Sequence, residues 1–196
     1  MNLWDRFHHW RRKRRWNKQY KSGRWESLKS DLEAKRYHQI LDFMKHYAPA
    51  NPSILDIGCG DGVLNRHIGD YNFEYFLGVD FSKVSIEKAK EENFAKAEFV
   101  AMDAIKFKPS RQFDVIVFNE VFYYIPDSEK KRVLNLMLDH LNEQGIVIAS
   151  IFREGVGCWE YFTESEQLKE LAFTTVTTKK ESTYWKIGVY SKKNEH

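Results

Sequence analysis

The stretch Ile54 to Gly62, ILDIGCGDG, constrains this chain most, because it joins a short apolar run to a glycine-rich turn. Ile54, Leu55 and Ile57 read as a strand buried on both faces, the kind found in parallel sheets. Gly58, Gly60 and Gly62 permit a tight turn and a close approach of ligand to backbone, and Val63, Leu64 and Ile68 follow at helical spacing. Strand, turn and helix in that order place a ligand at a strand's carboxyl end. A dinucleotide fingerprint needs glycine at the sixth position of GxGxxG, to seat a pyrophosphate on the helix N-terminus, and that position here is Val63. A nicotinamide cofactor is therefore disfavoured. Asp56 and Asp61 make the turn acidic, and about twenty residues on Asp80 ends a second apolar run, the spacing at which a carboxylate grips a ribose. The expected ligand is adenosine-like and lacks phosphates.

With Val79-Asp80-Phe81-Ser82, Met102-Asp103-Ala104 and FDVIVFNEVFYYI (Phe113 to Ile125), the glycine stretch resembles the motif series of class I S-adenosylmethionine-dependent methyltransferases, over residues 20–192. The resemblance implies S-adenosyl-L-methionine as cofactor and S-adenosyl-L-homocysteine as product. It sets Asp56, Gly58, Cys59 and Gly60 under the methionine and ribose portions, with Asp80 accepting from both ribose hydroxyls. Phe81 then packs on adenine, Asp103 reaches its exocyclic amine, and Met102, Ala104 and Asn119 complete the cofactor site. The segment Tyr20 to Trp25 resembles one that folds over the cofactor in several small-molecule enzymes, which makes Tyr20 and Trp25 further contacts.

Because the cofactor's sulfonium is already activated, the residues after FDVIVF need only hold an acceptor in line and accept a proton. Asn119 to Tyr124 lacks the NPPY-type sequence of enzymes that methylate base or protein amide nitrogens, and lacks the Pro-Cys of cytosine C5 enzymes. Asn119 stands where catechol-type enzymes carry a metal-ligating aspartate, so no metal is expected. NEVFYYI instead resembles NodS-like enzymes and related methyltransferases of glycan and small-metabolite pathways. The catalytic candidates are Glu120 first and Tyr124 second. The implied reaction is methyl transfer to an oxygen or nitrogen of a small molecule, such as a sugar of a glycan pathway. Two alternatives stay open: an RNA or tRNA methyltransferase, and an inactive cofactor-binding partner subunit.

Charge is unevenly spread. Residues 1–36 carry twelve Lys and Arg against four Asp and Glu, a balance of +8 in a chain of net +3, so the remainder is net −5. Leu3, Trp4, Phe7 and Trp10 recur at helical spacing and Arg11 to Arg15 follow, a pattern that could grip nucleic acid or an anionic membrane surface. The plainer reading is a solvated arm that packs a few aromatics on the domain. Residues 1–25 thus read as a basic arm ending in a lid segment, and 26–196 as one methyltransferase domain. A mean hydropathy of −0.61, no run near the roughly 18 apolar residues a span requires, and no signal-peptide core make the cytoplasm the expected location. Cys59 and Cys158 are too few and too far apart for a disulfide framework or zinc cluster.

Periodicity places a helix after a Ser30/Glu33 capping box, with Leu32, Tyr37, Ile40, Leu41, Met44 and Ala48 inward. Apolar runs at 73–79, 98–101, 113–118 and 146–152 read as further strands. Ser82 caps a helix to about Lys90, and Asp127 or Ser128 caps another that Gly145 stops. A short helix over 164–171 precedes a terminal hairpin. The expected fold is α/β, a doubly wound seven-stranded sheet, parallel except for an antiparallel C-terminal hairpin strand.

Overall fold

The computed structural model describes residues 3–193; for residues 3–10, Lys13 and Lys29 only the backbone is described, so the side chains of Leu3, Trp4, Phe7 and Trp10 lie outside the described residues. Seven strands form one sheet: β1 Ser53–Ile57, β2 Tyr75–Asp80, β3 Ala97–Ala101, β4 Phe113–Asn119, β5 Leu141–Phe152, β6 Leu168–Thr177 and β7 Tyr184–Lys192. Their order is β3-β2-β1-β4-β5-β7-β6, and β7 alone runs antiparallel to its neighbours. The chain winds from β1 outward to β3, then returns to lay β4 and β5 on the other side. The strand order therefore reverses between β1 and β4, and a crevice opens beyond their carboxyl ends. The register there is pinned at the opposite end: Ser53 donates to Asp114 through both its N–H and its hydroxyl at 2.8 Å, and Asn142 donates to the other carboxylate oxygen at 2.7 Å.

Helices cover both faces, which is why every residue of β1 is buried. On one face α5 (Asp127–Asp139) inserts Val133, Leu134, Met137 and Leu138 against β4 and β5. On the other, α2 (Asp31–Tyr47), α3 (Val63–Ile68) and α4 (Lys83–Glu91) supply Ile40, Met44, Leu64 and Ile86. The Ser82 hydroxyl caps α4 by accepting from the Ser85 N–H at 3.3 Å. The N-terminal helix α1 (Leu3–Lys21) leads through a 3-10 segment (Arg24–Lys29) into α2. Among the described residues no helix is long and apolar enough to cross a membrane.

Five local expectations change, one being the cap of α5, where Pro126 takes the N-cap position and Asp127 is already the first helical residue, with no side-chain capping bond. Ser30 sits at the N-cap of α2 but makes no side-chain capping bond. The inward stripe of α2 is rotated: Leu32 is 38% exposed, and Arg36 is buried beside Tyr37, Ile40, Phe43 and Met44. Helix α5 stops before Gly145, because His140 closes its last turn through its N–H to Met137 O and Leu141 then pairs with Phe113. Gly145 instead lies in an irregular stretch of β5, where a Cβ would meet Leu141 at 2.7 Å. Lastly, no helix forms over 164–171. A single turn, α6 (Glu160–Thr163), comes earlier, and Leu168 starts β6, because 168–177 pair antiparallel with β7 from Lys192 back to Tyr184.

Candidate active site

A cavity of about 210 Å³ occupies the crevice at the ends of β1, β2 and β4, closed on its outer side by α1 and the segment before α2. The sequence candidates Asp56, Gly58, Cys59, Gly60, Asp80 and Phe81 line it from β1, the glycine turn and β2. Asn119, Glu120 and Tyr124 line it from β4 and the following turn, and Tyr20 and Trp25 from the N-terminal side. Met102, Asp103 and Ala104 are not among its lining residues. The Met102 N–H donates to the Asp80 carbonyl at 2.9 Å while its side chain is 40% exposed, and Asp103 accepts from the Ile105 N–H at 3.1 Å.

The turn after β1 needs glycine for two separate reasons. Gly58 has φ +78°, and a Cβ there would lie 2.6 Å from Val121 Cβ; at Gly60, φ +58°, the same atom would meet the Tyr20 hydroxyl at 2.5 Å. With both side chains absent, the backbone folds back on β2. The Gly60 N–H donates to Asp80 Oδ2 at 3.2 Å and the Ser82 N–H to Oδ1 at 2.7 Å, which fixes the carboxylate at the mouth of the crevice. Burial lifts the Asp80 pKa to about 6, against these two bonds, which pull it down. Asp56 has only the nearby Arg36 charge to oppose the cost of burial. It is 1% exposed, its Oδ1 makes no hydrogen bond, and burial, with the nearby Asp80 charge, raises its pKa to about 8.

At the far end Glu120 meets a cluster built on Arg36, which the sequence reading did not single out. Arg36, 1% exposed, reaches from α2 to Glu33 Oε2 at 2.9 Å and donates to the Tyr37 hydroxyl at 3.1 Å. Its guanidinium carbon lies 4.7 Å from the Tyr37 ring centre and 5.2 Å from that of Trp185. Glu120 Oε1 is 3.8 Å from Arg36, and Glu120 Oε2 accepts from the Tyr123 hydroxyl at 2.9 Å. Burial works against the charge on Arg36, but Tyr37, Glu120 and Glu33 outweigh it and raise its pKa. Burial likewise lifts Glu120 to about 7, with Arg36 and the Tyr123 hydroxyl opposing. Glu120 adopts φ +57°, a left-handed conformation that costs a non-glycine residue on the order of 1–2 kcal/mol and that clusters at functional sites.

The inner face of α1 closes the cavity. Trp16 stacks on Trp25 with ring centres 4.5 Å apart and meets the edges of Tyr124 at 5.0 Å and Phe81 at 6.3 Å. Arg12 donates to the Tyr124 carbonyl, and Asn17 Oδ1 accepts from the Ser82 hydroxyl at 2.6 Å. Trp16 was absent from the sequence candidates although it falls four residues before Tyr20, on the same helical face.

Among the described residues lining this cavity, buried polar atoms that make no hydrogen bond include Asp56 Oδ1, Arg36 Nε, Asn119 Oδ1, Glu120 Oε1 and the indole nitrogens of Trp16 and Trp25. Buried polar groups are almost always satisfied, so a polar ligand is what such a set awaits. An acid and a base at one end, a ribose-type carboxylate at the other and aromatic faces between them fit an amino-acid-bearing nucleoside. That is the shape of S-adenosylmethionine.

The strand order and antiparallel β7 define the class I methyltransferase fold, and comparison with known structures agrees. N-methyltransferase NodS from Bradyrhizobium japonicum, solved with S-adenosyl-L-homocysteine, superposes with a TM-score of 0.73 at 18% identity, covering 87% of this chain and 92% of that one. A 1,6-didemethyltoxoflavin-N1-methyltransferase from Burkholderia thailandensis gives 0.72 at 17% identity over 90% and 85%. In sequence, residues 28–178 match the family described as a methyltransferase domain, and the chain belongs to that family of class I S-adenosylmethionine-dependent methyltransferases. Nodulation protein S of Azorhizobium caulinodans is 26% identical over 151 residues, 76% of this chain and 72% of the relative. Malonyl-[acyl-carrier protein] O-methyltransferase 1 of Ilyobacter polytropus is 28% identical over 135 residues, 67% of this chain and 48% of the relative. The chain thus spans about half the length of that relative, and 1% of a matching nonribosomal peptide synthetase of Salinispora arenicola.

Proposed function

We propose that this chain transfers the methyl group of S-adenosylmethionine to an oxygen or nitrogen of a small molecule, with an amine the acceptor that Glu120 suits best. The observation that carries the reading is the row of unsatisfied buried polar atoms along a cavity that also holds Asp80. In this reading Asp80 accepts from the ribose hydroxyls, Phe81 and Trp16 enclose the adenine, and Asp56 and Arg36 take the ammonium and carboxylate of the methionine portion. The bound cofactor supplies an electrophilic methyl on sulfur. Glu120, from its fixed place after β4, holds the acceptor's ammonium and takes up a proton; Tyr124 forms the wall beside it. Residues 1–25 act as arm and lid, with Trp16, Tyr20 and Trp25 excluding water, and 26–196 form the catalytic domain. The names of two similar proteins, NodS and the toxoflavin enzyme, as N-methyltransferases support nitrogen. A sugar amine fits the aromatic walls.

Calorimetry with S-adenosylhomocysteine tests the cofactor assignment. Asp80→Ala removes a charged acceptor from two hydroxyls, and charge-assisted bonds are worth roughly 1.5–3 kcal/mol, so affinity should fall about tenfold or more. Unchanged affinity in a folded variant removes Asp80 from the site. Transfer of labelled methyl to small primary amines, including amino sugars, and not to the matching alcohols is the expected outcome of an acceptor screen. Tight cofactor binding with no transfer to any acceptor class favours the inactive partner subunit instead.

A further inference from the structure

Three residues after Glu120, Tyr123 stands on the short 3-10 turn Phe122–Tyr124. The Tyr124 N–H closes this turn onto Val121 O at 2.9 Å, and Phe122 roots it in the core against Phe118 and Phe162, with ring centres 5.4 and 4.7 Å away. So rooted, the turn carries the Tyr123 ring onto Tyr124, 4.4 Å between centres, and the Tyr123 hydroxyl to Glu120 Oε2 at 2.9 Å. Phenylalanine would serve the packing alone; the hydroxyl answers a polar partner. On the other side of the carboxylate, Arg36 lies 3.8 Å from Oε1, beyond hydrogen-bond distance. Burial raises the Glu120 pKa most; Arg36, the Tyr123 hydroxyl and the Phe152 N–H of β5 favour the charge, and Glu33 of α2 opposes it. The Tyr37 and Tyr124 phenols also feel that charge. Burial first, and the Glu120 charge second, push the Tyr123 phenol far above its ordinary value, so the hydroxyl keeps its proton for Glu120.

We propose that Tyr123 is a positioning residue of this site: its hydroxyl holds the Glu120 carboxylate in one orientation and favours the ionised form, the form that takes up the acceptor's proton. The inference rests on the reading of Glu120 as proton acceptor. Arg36 supplies charge without a direct bond to Glu120 and is shared with Glu33 at 2.9 Å, so orientation falls to the hydroxyl. An O–H donor to a carboxylate makes a charge-assisted bond, short and directional. It favours the charged carboxylate over the protonated one. The main chain of Glu120 is fixed as well, at φ +57° and through its N–H to Ser150 O at 2.9 Å. Its side chain is thus held at both ends, and Tyr123 acts through it without taking a proton itself.

Two difference curves test it. Urea midpoints of the parent minus those of Glu120→Gln, followed over pH, isolate the titration of Glu120, because Asp56 and the other groups are common to both. Tyr123→Phe minus the double variant that adds Glu120→Gln isolates the same titration without the hydroxyl. The falling part of the curve ends at about 7 in the parent. Loss of a bond that favours the charge should carry that end about one to two pH units higher. Tyr123→Phe keeps the ring on Tyr124 and should bind S-adenosylhomocysteine as the parent does. With glucosamine as methyl acceptor, the rise of turnover with pH should move up by the same interval and the alkaline plateau should be retained. Curves that end at the same pH, an equal drop in turnover at every pH, or a Tyr123→Phe chain that no longer folds overturns the proposal. The stability curves need no acceptor. A displaced curve together with no transfer by the parent strikes the methyl-transfer reading and leaves the hold of Tyr123 on Glu120 standing.

Discussion

Replacing Asp56 by Asn is expected to make the cofactor-free protein more stable at about pH 8 and to leave its stability little changed at about pH 4. Burial raises the pKa of this carboxyl from 3.8 to about 8, so the folded state holds a proton that the unfolded state releases. An acid with a raised folded-state pKa contributes stability that is fully present below its unfolded pKa. That contribution is lost as pH rises through the folded value, here between about 4 and about 8. A shift of about four units corresponds to on the order of 5 kcal/mol across that window. Asn keeps the shape and never ionises, so urea midpoints of parent and variant should converge in acid and separate steadily towards alkaline pH. Parallel curves, with a constant offset between about pH 5 and about pH 8, would remove Asp56 as the source. The same variant should bind S-adenosylhomocysteine more weakly, since a neutral amide is a poorer partner for an ammonium. Stability gained and affinity lost together are the mark of a residue retained for its ligand.

The sheet was legible because its signals are local and agree. ILDIGCGDG combines an apolar run, a turn that only glycine fits at Gly58 and Gly60, and a helical pattern, and all three levels point to one strand-turn-helix unit. The helix expected over 164–171 failed for a physical reason. Leu168 and Leu171 are three apart, a spacing a helix would use, but pairing of β6 with β7 decided the matter. Arg36 was harder to see, since a charged residue is read as solvent-facing by default. Its signal lay in its phase: it falls four residues before Ile40 on the buried face of α2, with Glu33 one turn earlier. Glu120 could be singled out from its motif, but nothing in the sequence reveals that its partner comes from a helix more than eighty residues upstream. The stacking of Trp16 on Trp25 was hidden for the same reason, because it depends on how the chain turns at Gly23.

Glu120→Gln is expected to reduce turnover on the order of a hundredfold while leaving the fold intact, as loss of a general base does. The substitution preserves an oxygen for the Tyr123 hydroxyl to donate to, and removes only the charge that faces Arg36 and the acceptor. Because burial sets the Glu120 pKa at about 7, turnover by the parent should rise with pH through that value as the carboxylate forms. In the variant that limb of the profile should disappear, which a packing role would not produce. The stability effect has the opposite direction. A carboxyl raised from 4.5 to about 7 in the folded state costs the fold stability as pH climbs between those two values, so the Gln variant should be no less stable than the parent above about pH 7. Turnover near the parent's, with the pH limb retained, would reassign Glu120 to holding Arg36 in place and move the search for the proton acceptor to Tyr124, whose ring borders the same cavity.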